Sequence, residues 1–329
     1  MKLQSFIKKI VTIAIVFISQ WSVSQVPYER ILNSNDEPQN WLTYNGGYMS
    51  QRHSLLDQIN RENVNQLELT WVLQNQVFGA WQSNPIIVDG IMYVTERPNS
   101  VMAVDAVTGR VFWKYRHQNA ENALVCCGAN NRGVAVLNDK IYMGTLDAHL
   151  VALDRVNGQP LWKAEVGDVN LAYSVTMAPL AVKDKILVGV GGGEFGIRGY
   201  VAAFDAETGA QAWKTYTIPG PGEANHDSWE GDDWEHGGAP VWITGSFDAD
   251  LNLTYWGVGN PGPDWNAGQR PGDNLYSDSA IALDADTGEL KWYFQFTPND
   301  AYDYDSVQVP VLADMEWRGE AKKVMMWAN

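Results

Sequence analysis

The sequence predicts an all-β protein of the β-propeller class, in which four-stranded blades stack around an axis. Three observations predict it: one pattern recurs four times, strand-like hairpins precede its copies, and no long apolar stretch of 3.6-residue period follows the N-terminal segment. The pattern runs Ala103-x-Asp105-x-x-Thr108-Gly109-x-x-x-Trp113 and returns at Ala152–Trp162, with Asn157 in the Thr position, and at Ala203–Trp213 and Ala282–Trp292. Its tryptophans are spaced 49, 51 and 79 residues apart, so the last interval is expected to hold an insertion of about thirty residues around Pro219 to Trp234.

The hairpins come from runs such as Pro85–Val94, Ile141–Thr145 and Ile186–Val190, where apolar residues flank Asp-Gly, Asn-Asp or Lys-Asp turns. Each Asp-x-x-Thr-Gly segment then supplies the next tight turn. The Asp caps its own backbone, a Gly or Asn takes positive φ, and the Trp falls on the following strand. Two hairpins per repeat make one four-stranded blade. A single blade cannot bury both faces, so blades must stack, with the Ala, Gly and Trp of each motif packed between neighbours. Most of the fifteen tryptophans are therefore expected to be blade glue. Four complete motifs plus a first strand set near Leu69-Thr70-Trp71 make about four to five blades, and the sequence stops at Met325–Asn329 in strand-like residues. The expectation is a propeller over 25–329 that is truncated at the C-terminus, because closed rings are what remove exposed sheet edges.

The N-terminal segment differs in kind. Lys2, Lys8 and Lys9 precede an apolar run from Ile10 to Ile18, and Ser22-Val23-Ser24 offers a small-x-small cleavage site before Gln25. Residues 1–24 read as a cleaved secretory signal peptide, which puts the mature chain in the periplasm. The run covers only half of the ~20 residues a spanning helix needs, so no stable membrane anchor is expected. The formal charge is −16, and removing three lysines makes it more negative. Nucleic acid is excluded as a partner class, since phosphate binding needs the opposite sign. A basic protein partner fits the charge, although acidity also serves solubility alone.

The only two cysteines, Cys126 and Cys127, are neighbours. Consecutive Cα atoms sit ~3.8 Å apart whereas ordinary disulfides want ~4.4–6.8 Å, so a mutual bridge would be strained. The alternatives are buried thiols or pairing with other chains; oxidising surroundings disfavour the thiols.

The repeats, the Cys126-Cys127 pair, the run Gly192-Gly193-Glu194-Phe195-Gly196-Ile197-Arg198-Gly199, Gly257-Val-Gly-Asn260-Pro261 and Thr297-Pro-Asn-Asp-Ala-Tyr-Asp303-Tyr-Asp305 together resemble the PQQ-dependent (pyrroloquinoline quinone) quinoprotein methanol/ethanol dehydrogenases, from about Trp41 to the end. That resemblance implies an eight-bladed propeller holding PQQ. It makes Cys126 and Cys127 a disulfide ring stacked on the cofactor, with Trp242 on the other face. Arg132 corresponds to the carboxylate-binding arginine, Thr176 to a hydroxyl ligand, and Gly192 and Gly193 let backbone approach closely. Two positions depart from the pattern: Gln82 stands where methanol-type members carry a Glu near the quinone, and Pro240 replaces a Thr.

The same resemblance assigns Glu194, Asn260 and Asp303 to a metal ion, and oxygen donors of this kind suit a hard cation. Asp305 is an extra carboxylate where calcium-using relatives carry a small residue and lanthanide-dependent ones an Asp. The ion is thus expected to be Ca2+ or a lanthanide, with added negative charge favouring the trivalent ion. Implied function is oxidation of a primary alcohol to an aldehyde, with Asp303 accepting the hydroxyl proton and electrons passing to a cytochrome c. No Cys-x-x-Cys-His occurs in the sequence. A non-catalytic exported propeller of the outer-membrane assembly type explains repeats and export, but gives no reason for the cysteine pair, Arg132 and the Glu194/Asn260/Asp303 set together. An aldose dehydrogenase on a related propeller is a weaker alternative, lacking the adjacent cysteines.

Overall fold

The computed structural model describes residues 24–329, so the signal-peptide assignment falls almost wholly outside the described residues. The blade pattern holds. Strands β1 (Ile86–Val88), β2 (Ile91–Glu96), β3 (Ser100–Asp105) and β4 (Val111–Arg116) form one antiparallel four-stranded sheet in sequence order. The same meander recurs in β5–β8 (Ala135–Leu137, Lys140–Gly144, His149–Asp154, Pro160–Glu165) and in β9–β12 (Leu180–Val182, Lys185–Gly189, Tyr200–Asp205, Gln211–Tyr216). A fourth sheet holds β13–β16 (Ser246–Asp248, Leu253–Gly257, Ser279–Asp284, Leu290–Gln295), and a two-stranded sheet follows, β17 (Val311–Trp317) and β18 (Glu320–Met326). Among the described residues α-helix is confined to Tyr28–Leu32.

Strands inside a blade are buried on both faces and read as apolar runs, as in Leu150–Leu153 of β7, whereas the fourth strand of each sheet is largely exposed. The repeated turn works as its residues predict. In the third copy Asp205 Oδ1 accepts from the backbone N–H of Glu207 at 3.2 Å and of Thr208 at 2.8 Å. Gly209 takes φ +73° and donates to the Asp205 carbonyl at 2.8 Å. Trp213 then pairs across the ladder with Ala203, the register that Trp113, Trp162 and Trp292 repeat with Ala103, Ala152 and Ala282.

The indoles of the first three copies each dock on the glycine of the next copy. A Cβ at Gly158 would lie 2.4 Å from Trp113, one at Gly209 2.7 Å from Trp162, and one at Gly288 2.5 Å from Trp213. Glycine is required there twice over, for its left-handed φ and for the space the ring fills. The indole N–H of Trp113 donates to the Arg155 carbonyl and that of Trp213 to the Ala285 carbonyl, both at 3.2 Å, while Trp162 Nε1 is buried without a partner.

Two expectations are corrected. Trp71 does dock on Gly109 and donates to the Ala106 carbonyl at 3.2 Å, but residues 67–74 form no strand. This exposed extended segment has no neighbouring strand to pair with, so its backbone is left to water. The long last interval is also not a single insertion. It is split between the β12–β13 connection, 217–245, and the β14–β15 connection, 258–278. These two loops pack on each other: Trp229 donates to the Leu275 carbonyl at 2.6 Å and Asn274 N–H to the Ser228 carbonyl at 3.0 Å. The first carries Pro240 and Trp242 and the second carries Asn260.

Candidate active site

Departures from the blade repeat converge on one cavity. Its wall comprises the Cys126–Cys127 segment, Arg132 and Thr176, Gly192 and Glu194, Pro240 and Trp242, and Asp303 with Asp305. Cys126 and Cys127 are joined as a disulfide, with Cys127 at φ +64°. The carboxylate of Glu194 lies within 4.8 Å of both sulfurs. Gly192, at φ +118°, has no room for a Cβ, which would meet the Ala172 carbonyl at 2.3 Å. Gly193 lies just behind the wall, where a Cβ would press on Pro240 at 2.9 Å.

Arg132 is buried, and its guanidinium sits 4.7 Å from the centroid of the Trp242 ring. Nη1 donates to Thr176 Oγ1 at 2.9 Å and reaches the Trp242 carbonyl at 3.5 Å. No carboxylate lies within ion-pair distance of it among the described residues. Burial lowers its pKa, so this is a desolvated cation without a counter-charge. Such a group, beside an indole ring in a cavity that a disulfide also lines, fits a planar polycarboxylate.

The carboxylates form the opposite electrostatic feature. Burial raises Asp305 to about 6, with Asp303 and Glu194 adding repulsion while hydrogen bonds from Asn260 and Trp242 oppose the rise. Those bonds run to Oδ1, from the Asn260 backbone N–H at 3.0 Å and Trp242 Nε1 at 3.4 Å. Asp303 is raised by burial and by its neighbours Asp264, Glu194 and Asp300; Glu194 is raised by burial and by Asp264. Asn260 is buried behind this group, and its Nδ2 donates to Asp264 Oδ1 at 2.9 Å. That bond leaves the amide oxygen as the atom a cation could use. Crowded carboxylates held above their ordinary range, with an amide oxygen beside them, are a donor set that fits a hard multivalent cation.

The structure does not bring Gln82 to the wall. It is exposed in a strand-free segment ahead of β1, and the next residue is held where Ser83 Oγ accepts from Thr95 N–H at 2.9 Å. Sequence reasoning missed Asn130, Asp264 and Asp300. Asn130 is buried on the wall, donates to the Cys127 carbonyl at 3.0 Å and has an Oδ1 with no partner. Its place between the cysteines and Arg132 was the available signal. Asp264 and Asp300 carry none beyond loop composition.

The family model described as "PQQ: Glucose/ethanol/alcohol dehydrogenase, beta-propeller domain" matches residues 41–329. The chain belongs to this family. It is 42% identical to the quinohemoprotein alcohol dehydrogenase ADH-IIG of Pseudomonas putida, over 91% of this chain and 44% of that protein. It is 38% identical to the lanthanide-dependent methanol dehydrogenase of Methylacidiphilum fumariolicum (strain SolV), over 89% of this chain and 52% of that one. Among solved structures, a europium-containing methanol dehydrogenase superposes with a TM-score of 0.86 at 37% identity, covering 91% of this chain and 56% of that one. The chain thus spans about half the length of the curated relatives it matches.

Proposed function

We propose that the complete protein is a PQQ-dependent alcohol dehydrogenase that oxidises a primary alcohol to an aldehyde. The observation that carries this is the meeting, in one cavity, of an unpaired buried cation beside an indole and disulfide with a set of mutually repelling carboxylates. A non-catalytic propeller needs neither. When bound, PQQ supplies the two-electron acceptor and an ion at the carboxylates the positive charge that polarises it. Arg132 and Thr176 would hold the quinone rim, and Trp242 and the Cys126–Cys127 ring its faces. Glu194, Asn260, Asp303 and Asp305 would hold the ion.

Asp303 is the proton acceptor for the alcohol hydroxyl. It is the most exposed of the acidic groups on the wall together with Glu194, so an alcohol hydroxyl entering the cavity can reach it. Asp305, half-buried and engaged by Asn260 and Trp242, is placed to hold charge rather than to move a proton, and that extra charge favours a lanthanide over calcium. The acidic chain suits export and a basic cytochrome c as electron acceptor.

The test uses the complete protein with PQQ and either calcium or lanthanum, following dye reduction by methanol and ethanol. Alcohol-dependent turnover requiring both additions is expected, and Asp303→Asn should lower kcat by about 10²–10⁴-fold. Absence of turnover and of quinone absorbance with either ion would overturn the reading.

A further inference from the structure

Behind the carboxylates lies a buried cation that the function above does not use. Arg270 is fully buried, yet no carboxylate is within ion-pair distance of it among the described residues. Its guanidinium is spent on backbone and amide oxygens. Nη1 donates to Asn274 Oδ1 at 2.9 Å, Nη2 to the carbonyls of Asp300, Pro263 at 3.3 Å and Asp264 at 3.4 Å, and Nε to the Pro263 carbonyl at 3.4 Å.

Apart from Asn274, which follows Arg270 in the same connection, those acceptors belong to two separate loop segments. One runs from Asn260 through Asp264, whose carboxylate holds the Asn260 amide. The other runs from Asn299 to Asp305. This second segment contains three non-glycine residues in the left-handed region, Asn299 at φ +48°, Asp303 at +60° and Asp305 at +55°. Such residues persist only where surroundings over-determine them. Here Asp300, itself buried, accepts from Tyr302 N–H at 2.9 Å and Tyr304 N–H at 2.8 Å, wrapping the chain around Asp303. Asn299 Nδ2 donates to the carbonyls of Arg270 and Gly272 at 2.9 Å and to Asn274 Oδ1 at 3.0 Å. The whole turn is therefore fastened to Arg270 and its immediate neighbours.

We propose that Arg270 is a positioning residue for the ion site, clamping the Asn260–Asp264 loop to the Asn299–Asp305 loop so that Asn260, Asp303 and Asp305 face one ion. It rests on the reading of those residues as ion ligands. An arginine is required because a rigid fork of five donors can serve both loops at once, which a point-charge ammonium cannot. Positioning and simple charge make opposite forecasts. Deleting a buried positive charge near a cation site should tighten cation binding, whereas deleting a clamp should loosen it.

The test titrates the complete, metal-free protein with Tb3+, reading lanthanide luminescence sensitised through neighbouring aromatics such as Trp242. Arg270→Lys and Arg270→Met should each raise the dissociation constant about 10–100-fold. Arg155→Met, at an equally buried arginine in another blade contact, should lower the melting temperature and leave Tb3+ affinity within twofold. Asn299→Gly tolerates the backbone, changes no charge, removes three bonds to the clamp, and should weaken Tb3+ several-fold; it decides the matter if the Arg270 variants do not fold. Wild-type affinity in Arg270→Lys, tighter binding in Arg270→Met, or wild-type affinity in Asn299→Gly overturns the clamp. Tb3+ failing to bind the wild-type protein removes the ion reading first, and the clamp with it.

Discussion

The blade turns and the cavity loops use the same residue, aspartate, in opposite ways. In the turns, Asp205 is held below the ordinary carboxylate range by hydrogen bonds from the Thr208 side chain and backbone, with Glu207 assisting. In the loops, Asp278 is raised by burial to about 8, with Asp300, Asp305 and Asp303 adding repulsion against the pull of Arg270. Asp305 follows it, raised to about 6. Asp205 stabilises the fold by being charged. Asp278 and Asp305 oppose it by being charged, and that is the condition under which a bound cation gains most.

The largest effect expected on the fold side comes from the docking tryptophans. Trp213→Ala removes a buried indole seated on Gly288 and should cost about 3–5 kcal/mol, read from chemical denaturation of the complete protein. Trp162→Ala should cost less, because its indole N–H has no partner to lose. Equal losses would mean that the Trp213 bond to the Ala285 carbonyl contributes little and that packing alone locks adjacent blades.

Repetition decided how much of this could be read from the sequence. Asp105, Asp154, Asp205 and Asp284 announce their turns because the same local chemistry is printed four times, and strand order within a blade follows from the hairpins. The resemblance assembled Arg132, Thr176, Glu194, Trp242, Asp303 and Asp305 on one wall. It did not do so for Gln82, whose segment has no ladder to fix it. Arg270, Asp264, Asp278 and Asp300 were silent for a physical reason. Arg270 is met by backbone carbonyls, and Asp264, Asp278 and Asp300 by one another's charge, only once irregular loops fold against each other, and none of these loops has a period. The split insertion escaped for the same cause, since spacing alone gives the sum of two loop lengths.

Asp278 sharpens the contrast. It is fully buried, and neither carboxylate oxygen has a hydrogen-bond partner. Its pKa in the fold lies above the ordinary 3.8, so the folded state binds its proton more tightly than the unfolded chain. Its contribution is therefore present at low pH and lost as pH rises from about 4 towards 8. In metal-free protein, Asp278→Asn should gain stability relative to wild type on going from pH 5 to pH 7, by roughly 2 kcal/mol. A flat difference curve would mean that Asp278 is charged and solvated in the fold, and the comparison with the turns would fail at its most buried member.

Asp205→Ala is the smallest and most diagnostic change. The carboxylate accepts two backbone N–H groups and the Thr208 hydroxyl at 2.7 Å, but it sits near solvent, so its loss should cost about 1 kcal/mol at pH 7. Because its pKa is lowered in the fold, that contribution is present above the ordinary carboxylate range and lost as pH falls through it. The gap between Asp205→Ala and wild type should therefore shrink below pH 4, in the range where Asp278→Asn shows no change. Two aspartates on one scaffold would then titrate stability with opposite slopes in adjoining pH windows. The same slope in both would show that net charge, not local hydrogen bonding, governs acid sensitivity in this chain.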